Sequence, residues 1–382
     1  IMKYFICAGE ASGDLHASNL INWLKKIDNK AEISFLGGDL MAQSAGCKPL
    51  IHYRQMAYMG FSEVIRHLPE VFGNLRYARK MIDTTRPDAL ILVDYPSFNL
   101  KLAAYANGKG IPVYYFISPK VWAWKEYRVK QIRRYVKRVF CILPFEVDFY
   151  RNRHNYEATY VGNPSAEEVT EQIKLFGSKT EFTKSISIDN DTKIIALVPG
   201  SRKGEIKNNL HVMLDAVKLA ASRHGEKTTH IVTAAPGIDD DFYSQFISDD
   251  TILLRDRTLE LMHFSDAALV TSGTATLECA LAGTPQVVCY RANGKKLSYK
   301  IMEKILKVPF VSLPNLIADS RIIPEMLVHQ CTPELVSEQL LPLLSDTEQR
   351  MAQLDGYRRM ALALGTNNCF ETTARAIISD LK

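Results

Sequence analysis

The chain reads as an α/β protein of two doubly wound domains, and three observations predict this. Short apolar runs alternate with longer amphipathic ones along the chain, the pattern of parallel strands covered by helices on both faces. The 382 residues exceed what one hydrophobic core ordinarily serves. A polar stretch over 162–192, opened by Gly162-Asn163-Pro164, separates two such alternating series.

Strands are expected at 3–8, 33–36, 89–94, 112–117, 139–143 and 158–161, then at 194–198, 229–234, 252–254, 267–271 and 286–290. Each is a short run rich in Ile, Val, Leu or aromatics bounded by turn residues. Helices are expected at 14–27, 70–82, 125–137, 206–223, 274–282 and 295–307, where apolar residues recur at helical spacing. The organisation is a Rossmann-like domain over 1–165, a second over 166–345, and a helical segment over 346–382 with no strand after it, returning toward the first domain. There are no sequence repeats.

At 47 % hydrophobic and 23 % charged, the composition is that of a soluble globular protein. No apolar run approaches the roughly 20 residues a membrane span needs. The first apolar run, Met2 to Ala8, is too short for a signal peptide and reads as a buried strand. Seven cysteines with no CxxC spacing read as buried thiols of a cytoplasmic protein. The nine histidines show no metal-ligand spacing, and there is neither a G-x-G-x-x-G fingerprint nor a Walker A loop, so neither a metal nor a cofactor is expected. Charge is asymmetric: residues 1–164 carry 23 Lys/Arg against 14 Asp/Glu, and the remainder 24 against 28. The positive half should meet something anionic, whether a membrane surface, a phosphorylated lipid or nucleic acid.

Two strand-to-helix junctions carry the strongest chemistry. The run 267–270 leads into Thr271-Ser272-Gly273-Thr274-Ala275-Thr276-Leu277-Glu278, and the run 194–198 leads into Pro199-Gly200-Ser201-Arg202. A buried strand passing at once into a helix aims backbone N–H groups and a helix dipole at one spot, which favours a phosphate. Arg202 adds a guanidinium that can pair bidentately with phosphate oxygens. Two such junctions suggest one domain gripping a diphosphate, as in a nucleotide-sugar. Gly200, Ser201, Arg202, Ser272, Gly273, Thr274 and Glu278 are the expected contacts. Asn315, in a later loop, offers a donor and an acceptor for a uracil edge or a sugar hydroxyl.

In the first domain, Gly9-Glu10-Ala11-Ser12-Gly13-Asp14 follows the first strand. It suits either close ligand approach or a plain turn capped by Asp14. Asp94 ends the run 90–93, where a carboxylate is costly to bury unless paired or used. It suits a general base for a hydroxyl, or a cap for the turn before Pro96. Ser118-Pro119-Lys120-Val121-Trp122-Ala123-Trp124 could build a wall for a sugar or lipid, or anchor the following helix. Residues 125–138 carry seven Lys/Arg and one Glu, a broad basic face. Phe61, Val64, Ile65, Leu68, Val71, Phe72 and Leu75 keep helical spacing across Pro69, among basic residues. That segment can lie in a membrane interface or face the core.

Taken together, these motifs resemble the lipid-A-disaccharide synthase family, glycosyltransferase family 19 of the GT-B fold. The residues carrying the resemblance run in order over nearly the whole chain: Ala8 to Asp14, Met59-Gly60-Phe61-Ser62-Glu63-Val64, Asp94 to Asn99, Ser118 to Trp124, Leu143-Pro144-Phe145-Glu146, Pro199 to Arg202, Ser272 to Glu278 and Ser312-Leu313-Pro314-Asn315. The resemblance implies two Rossmann-like domains facing a cleft, with the C-terminal helix packing back on the first. It implies transfer of a diacylated glucosamine from UDP to the 6-hydroxyl of a diacylglucosamine 1-phosphate, with inversion, without a metal ion, on the inner face of a Gram-negative inner membrane. Asp94 would be the base. Gly9, Glu10, Ser12, Gly13, Asp14, Met59, Ser118, Trp122 and Trp124 would shape the acceptor side. A homodimer is left open and no nucleic-acid partner is expected. In this chain Ser97 stands where the family often has a second acid, and Asn163 where many relatives have His. Alternative readings are a GT-B enzyme on soluble UDP-sugars, such as a UDP-GlcNAc 2-epimerase-like protein, and a non-catalytic nucleotide- or lipid-binding protein.

Overall fold

A computed structural model describes residues 1–56, 68–123, 125–249, 251–271, 273–291 and 309–382. The chain divides into two compact units, one of residues 1–164 with 366–382 and one of residues 165–365.

The first unit is built on a seven-stranded sheet of β1 (Lys3–Ala8), β2 (Glu32–Gly37), β3 (Ile51–His52), β4 (Ala89–Val93), β5 (Val113–Phe116), β6 (Arg138–Cys141) and β7 (Thr159–Tyr160). The order is β3-β2-β1-β4-β5-β6-β7, and every pairing is parallel. Parallel strands are covered on both faces, so alternate residues feed two separate cores. Phe5, Cys7, Leu90 and Leu92 enter one, whereas Tyr4, Ile6, Ala8, Ile91 and Val93 enter the other.

The helix Cys369–Leu381 closes that second core. Its Phe370, Ala374, Ile377 and Ile378 pack there with Leu20, Ile21 and Leu24 of the helix Ala11–Ile27. Asn368 caps it by accepting the Glu371 N–H at 2.8 Å. The helix Glu348–Leu364, by contrast, belongs to the second unit.

The second unit holds β8 (Lys193–Val198), β9 (Thr228–Ala234), β10 (Ile252–Arg255), β11 (Ala267–Thr271), β12 (Gln286–Tyr290) and β13 (Glu325–Leu327). They lie in the order β10-β9-β8-β11-β12-β13. All pairings are again parallel. Ile195 and Leu197 face one core; Ile194, Ala196 and Val198 face the other. Gln353 of the helix Glu348–Leu364 clamps β12 by exchanging hydrogen bonds with the Gln286 backbone at 2.9 and 3.0 Å. The Gln286 amide in turn donates to Thr276 O at 2.9 Å, tying that clamp to the helix Thr274–Leu281.

In each sheet the strand order reverses once, between β1 and β4 and between β8 and β11. Ligands of open parallel sheets bind beyond the strand carboxyl ends at such reversals. Ala8 pairs with Val93 and Val198 with Val270. The loops entered at Gly9, Asp94, Pro199 and Ser272 therefore leave the sheets at these two points.

Candidate functional site

The β8/β11 reversal opens into a cavity of ≈ 490 Å³. Gly200, Ser201, Arg202, Gly273, Thr274 and Glu278 all line it, so both phosphate-type junctions meet at one place. Gly200 and Gly273 have φ of 123° and 140°, a region that a Cβ makes costly. Neither the helix Lys203–His224 nor the helix Thr274–Leu281 has a side-chain cap at its N-terminus. The Thr276 N–H already reaches the Gly273 carbonyl at 3.2 Å, and the N–H groups that open each helix ahead of it are of the kind an anion takes. Thr276 instead ties the helix start internally, donating to Gly273 O at 2.7 Å. Arg202 is exposed at the helix start. Burial raises the pKa of Glu278 from its ordinary value.

Sequence reasoning missed part of this wall. Glu205, Thr233, Ala234, Ala235, Pro236, Thr258 and Thr271 also line the cavity. They sit at or just beyond the ends of β9, β10 and β11, or in the first turn after β8, so the strand-end rule would have found most of them. The hydroxyl of Thr271 is buried with no hydrogen-bond partner among the described residues. The loop after β9 is held rigidly: Arg255 donates to Ala235 O at 3.0 Å and Ile238 O at 2.7 Å, and Tyr243 OH accepts the Ala235 N–H at 2.7 Å. Ser272 lies outside the described residues.

Asn315 is corrected. It is fully buried, and its amide donates to Ile323 O at 3.0 Å and Glu325 Oε1 at 2.8 Å. Its Oδ1 accepts from the N–H groups of Ile322 and Ile323 at 2.8 and 3.0 Å. All its hydrogen-bonding capacity is consumed in joining a helix start to β13, leaving none for a base or sugar.

At the β1/β4 reversal, Asp94 and Tyr95 adopt consecutive left-handed conformations with φ of 45° and 46°. Such strain persists only where the surroundings impose it. Here they do: the Asp94 carbonyl accepts from Asn99 Nδ2 at 2.8 Å and Tyr115 OH at 2.5 Å. Tyr95 OH is anchored on Met56 O at 2.7 Å. The Tyr95 ring lies over Gly9 so closely that a Cβ there would overlap it.

The Asp94 carboxyl is pushed up to about 6, chiefly by burial and secondarily by the Glu10 charge. Lys120, the Tyr95 N–H and Arg128 act in the opposite direction. Arg128 donates to Ser97 Oγ at 2.9 Å, and Ser12 to Glu10 Oε1 at 3.1 Å. The reversal thus gathers Glu10, Ser12, Asp94, Ser97, Lys120 and Arg128. A carboxyl titrating near 6 suits proton abstraction around neutral pH.

Other residues expected on the acceptor side serve the fold. Asp14 is buried, and its carboxylate accepts from the N–H groups of Gly38, Leu40 and Met41 at 2.7, 3.1 and 3.2 Å. It therefore caps the helix Asp39–Ala45 in space. Gly13 packs against Ala8, where a Cβ would come within 3.3 Å of the Ala8 Cβ. Ser118 is buried and shares a 2.7 Å hydrogen bond with Tyr150 OH. Trp122 is half-buried; its indole donates to Glu146 Oε1 at 3.2 Å and meets the Phe145 ring edge-on at 4.9 Å. Burial lifts the Glu146 carboxyl to about 8. Asn163 is buried and donates to Ile142 O at 2.9 Å. Met59 and Trp124 lie outside the described residues.

Of the expected membrane face, Phe61, Val64 and Ile65 also lie outside the described residues. Leu68 opens the helix Leu68–Thr85. Leu75 is corrected: with Ala78 and Ile82 it is buried in the sheet-facing core. Val71 is half-buried and Phe72 is 53 % exposed, with the Lys101 amine 5.4 Å from its ring. The basic stretch 125–138 is not one helix, but a 3-10 turn Glu126–Arg128 followed by the helix Val129–Tyr135. Val129 and Ile132 are buried, while Lys130, Arg133 and Arg134 are exposed and line one shallow depression. No described helix is long and apolar enough to cross a membrane. Among the described residues, no group of three or more His, Cys, Asp or Glu is placed to hold a metal ion.

The family model for lipid-A-disaccharide synthetase matches residues 4–378 of the chain. The lipid-A-disaccharide synthase of Myxococcus xanthus is 37 % identical over 381 residues, covering 98 % of this chain and 97 % of the relative. That of Nitrosococcus oceani is 37 % identical over 363 residues, covering 94 % and 92 %. In solved structures the same two-sheet GT-B architecture recurs. The UDP-GlcNAc 2-epimerase of Neisseria meningitidis bound to UDP-GlcNAc aligns with a TM-score of 0.63 at 13 % identity, covering 100 % and 99 % of the chains. The glycotransferase of kitacinnamycin aligns with the same score, identity and coverage.

Proposed function

The chain belongs to the lipid-A-disaccharide synthase family, glycosyltransferases of lipid A biosynthesis, and from that membership we propose that it joins UDP-2,3-diacylglucosamine to 2,3-diacylglucosamine 1-phosphate. The products are the β-1′,6-linked tetraacyl disaccharide 1-phosphate and UDP. The observation that carries this reading is the cavity at the β8/β11 reversal, lined by both glycine-bearing junctions and Arg202.

In the proposed reaction Asp94 takes the proton from the acceptor 6-hydroxyl as its oxygen attacks the anomeric carbon from the face opposite UDP. The configuration inverts in this single displacement. Arg202 and the N–H groups at the starts of the two helices take up the charge that develops on the departing diphosphate. Preorganised donors do this without reorienting during the reaction. The strained backbone at Asp94 fixes the base, and its carboxyl near 6 leaves it ionised at neutral pH and still basic enough to accept a proton.

The acyl chains place the work at a membrane surface, and the first unit has residues suited to one. Phe72 is exposed, and Lys130, Arg133 and Arg134 present cations to solvent, each worth about 1 kcal/mol beside an anionic leaflet. We place the protein on the inner face of the inner membrane on this ground.

The test is incubation with UDP-2,3-diacylglucosamine and 2,3-diacylglucosamine 1-phosphate, with and without EDTA, followed by mass analysis of the lipid. The expected product is the tetraacyl disaccharide 1-phosphate in both arms. Turnover of soluble UDP-GlcNAc with no disaccharide formed would replace this reading by the epimerase-like one.

A further inference from the structure

The loop 199–202 carries a carboxylate where an anion would bind. Glu205, in the first turn of the helix Lys203–His224, accepts the Ser201 N–H at 3.0 Å through Oε2. It lies so close over Gly200 that a Cβ there would come within 2.6 Å of the same oxygen. Glu205 also lines the cavity together with Arg202 and Gly273. An N–H at the passage from strand to helix is the donor a phosphate oxygen takes, and here a side-chain carboxylate holds it.

We propose that Glu205 sets the affinity of this site for diphosphates: its carboxylate competes with the nucleotide's diphosphate for the Ser201 N–H and repels it. The consequence is product release. A site that grips the diphosphate with Arg202 and two helix starts would retain UDP, and a resident anion that reclaims one donor favours its departure. This inference rests on the proposed UDP-sugar reading of the cavity. Glu205 also closes the first turn of its helix, as an acid near that position commonly does. A glutamine keeps an acceptor for that closure but, being neutral, holds the N–H more weakly than a carboxylate and does not repel a diphosphate, so E205Q separates the two roles.

The experiment is a ligand-observed NMR titration of the full chain with UDP and with uridine, for wild type, E205Q and R202A. E205Q should bind UDP roughly fivefold more tightly at low salt, the size expected of one removed, partly solvated like charge. Uridine, which has no phosphate, should bind both proteins alike. The gain for UDP should shrink in 0.5 M NaCl, where the Debye length falls to about 4 Å. UDP affinity unchanged or weakened in E205Q overturns the competition and leaves Glu205 as a helix closure. R202A tests the underlying reading separately. If R202A binds UDP as wild type does, the cavity is not the diphosphate site. If R202A weakens UDP while E205Q does not tighten it, only the competition fails. Should E205Q fold poorly, E205A carries the same comparison, read as the ratio of UDP to uridine affinity, which loss of folded protein leaves unchanged.

Discussion

The two strand-order reversals share one topology and differ in what their loops present to a ligand. Beyond β1 and β4 stand Glu10 and Asp94, with a tyrosine ring pressed over Gly9 and two consecutive residues at positive φ. Beyond β8 and β11 stand Gly200, Arg202 and Gly273, with two helix starts free of side-chain caps and a cavity of ≈ 490 Å³. The first arrangement raises the pKa of a carboxyl; the second offers donors to an anion. The sheet supplies the place, and the four or five residues after each strand decide the chemistry.

That contrast can be broken from either side. Removing the base should have the largest effect: Asp94→Asn is expected to lower kcat by about 10³-fold, within the range for a positioned general base, with the Kd for UDP unchanged. Equal loss of both would mean the substitution disturbs more than the proton acceptor. On the other side, Arg202→Ala should weaken UDP by about 10- to 100-fold, the worth of a charge-assisted phosphate pair, and leave the pH profile where it was.

A third substitution sharpens where the second site ends. Asn315→Ala strands the Ile322 and Ile323 N–H groups and one face of the buried Glu325. It should cost about 2–4 kcal/mol of stability while the UDP affinity of the folded protein stays the same. A large affinity loss at unchanged Tm would return Asn315 to the ligand.

The smallest effect concerns pH. With the Asp94 carboxyl near 6, log kcat/KM should climb with unit slope as pH rises toward 6 and level off above it. Glu10→Gln removes a raising charge and should move that limb to lower pH by a fraction of a unit. Stability runs the other way. The folded carboxyl binds its proton more tightly than the unfolded one, whose ordinary value is 3.8. Its contribution therefore favours folding below about 4 and is lost as pH climbs through 6. Asp94→Asn should flatten that part of the curve.

Much of this was legible in the chain because buried parallel strands read as unbroken apolar runs, and the sheet presents the residues just after them to a ligand. The junctions at 199–202 and 271–278 stand out for that reason, as does Asp94. The features that escaped did so for equally physical reasons. The helix Pro96–Gly108 buries Phe98, Asn99, Leu100, Leu102, Ala103 and Ala106, and its exposed side carries little besides Ser97, Lys101 and Asn107, too few polar residues to mark its period. β3 and β13, at two and three residues, are too short to carry a pattern.

Asn315 and Asp14 misled because a polar residue after a strand can serve a ligand or a neighbouring backbone. The partners that consume them, Glu325 and the 38–41 backbone, are fixed only by the fold. Leu75 shows the same limit: helical spacing gives an apolar stripe, but not whether core or membrane meets it.

The central claim is that the β8/β11 reversal grips a pyrophosphate. A crystal structure of the protein with UDP tests it most directly. Phosphate oxygens should lie on the Gly273 and Thr274 N–H groups and on the Arg202 guanidinium, with the Glu205 carboxylate withdrawn from Ser201. UDP bound elsewhere in the chain, with that cavity unchanged, would contradict it.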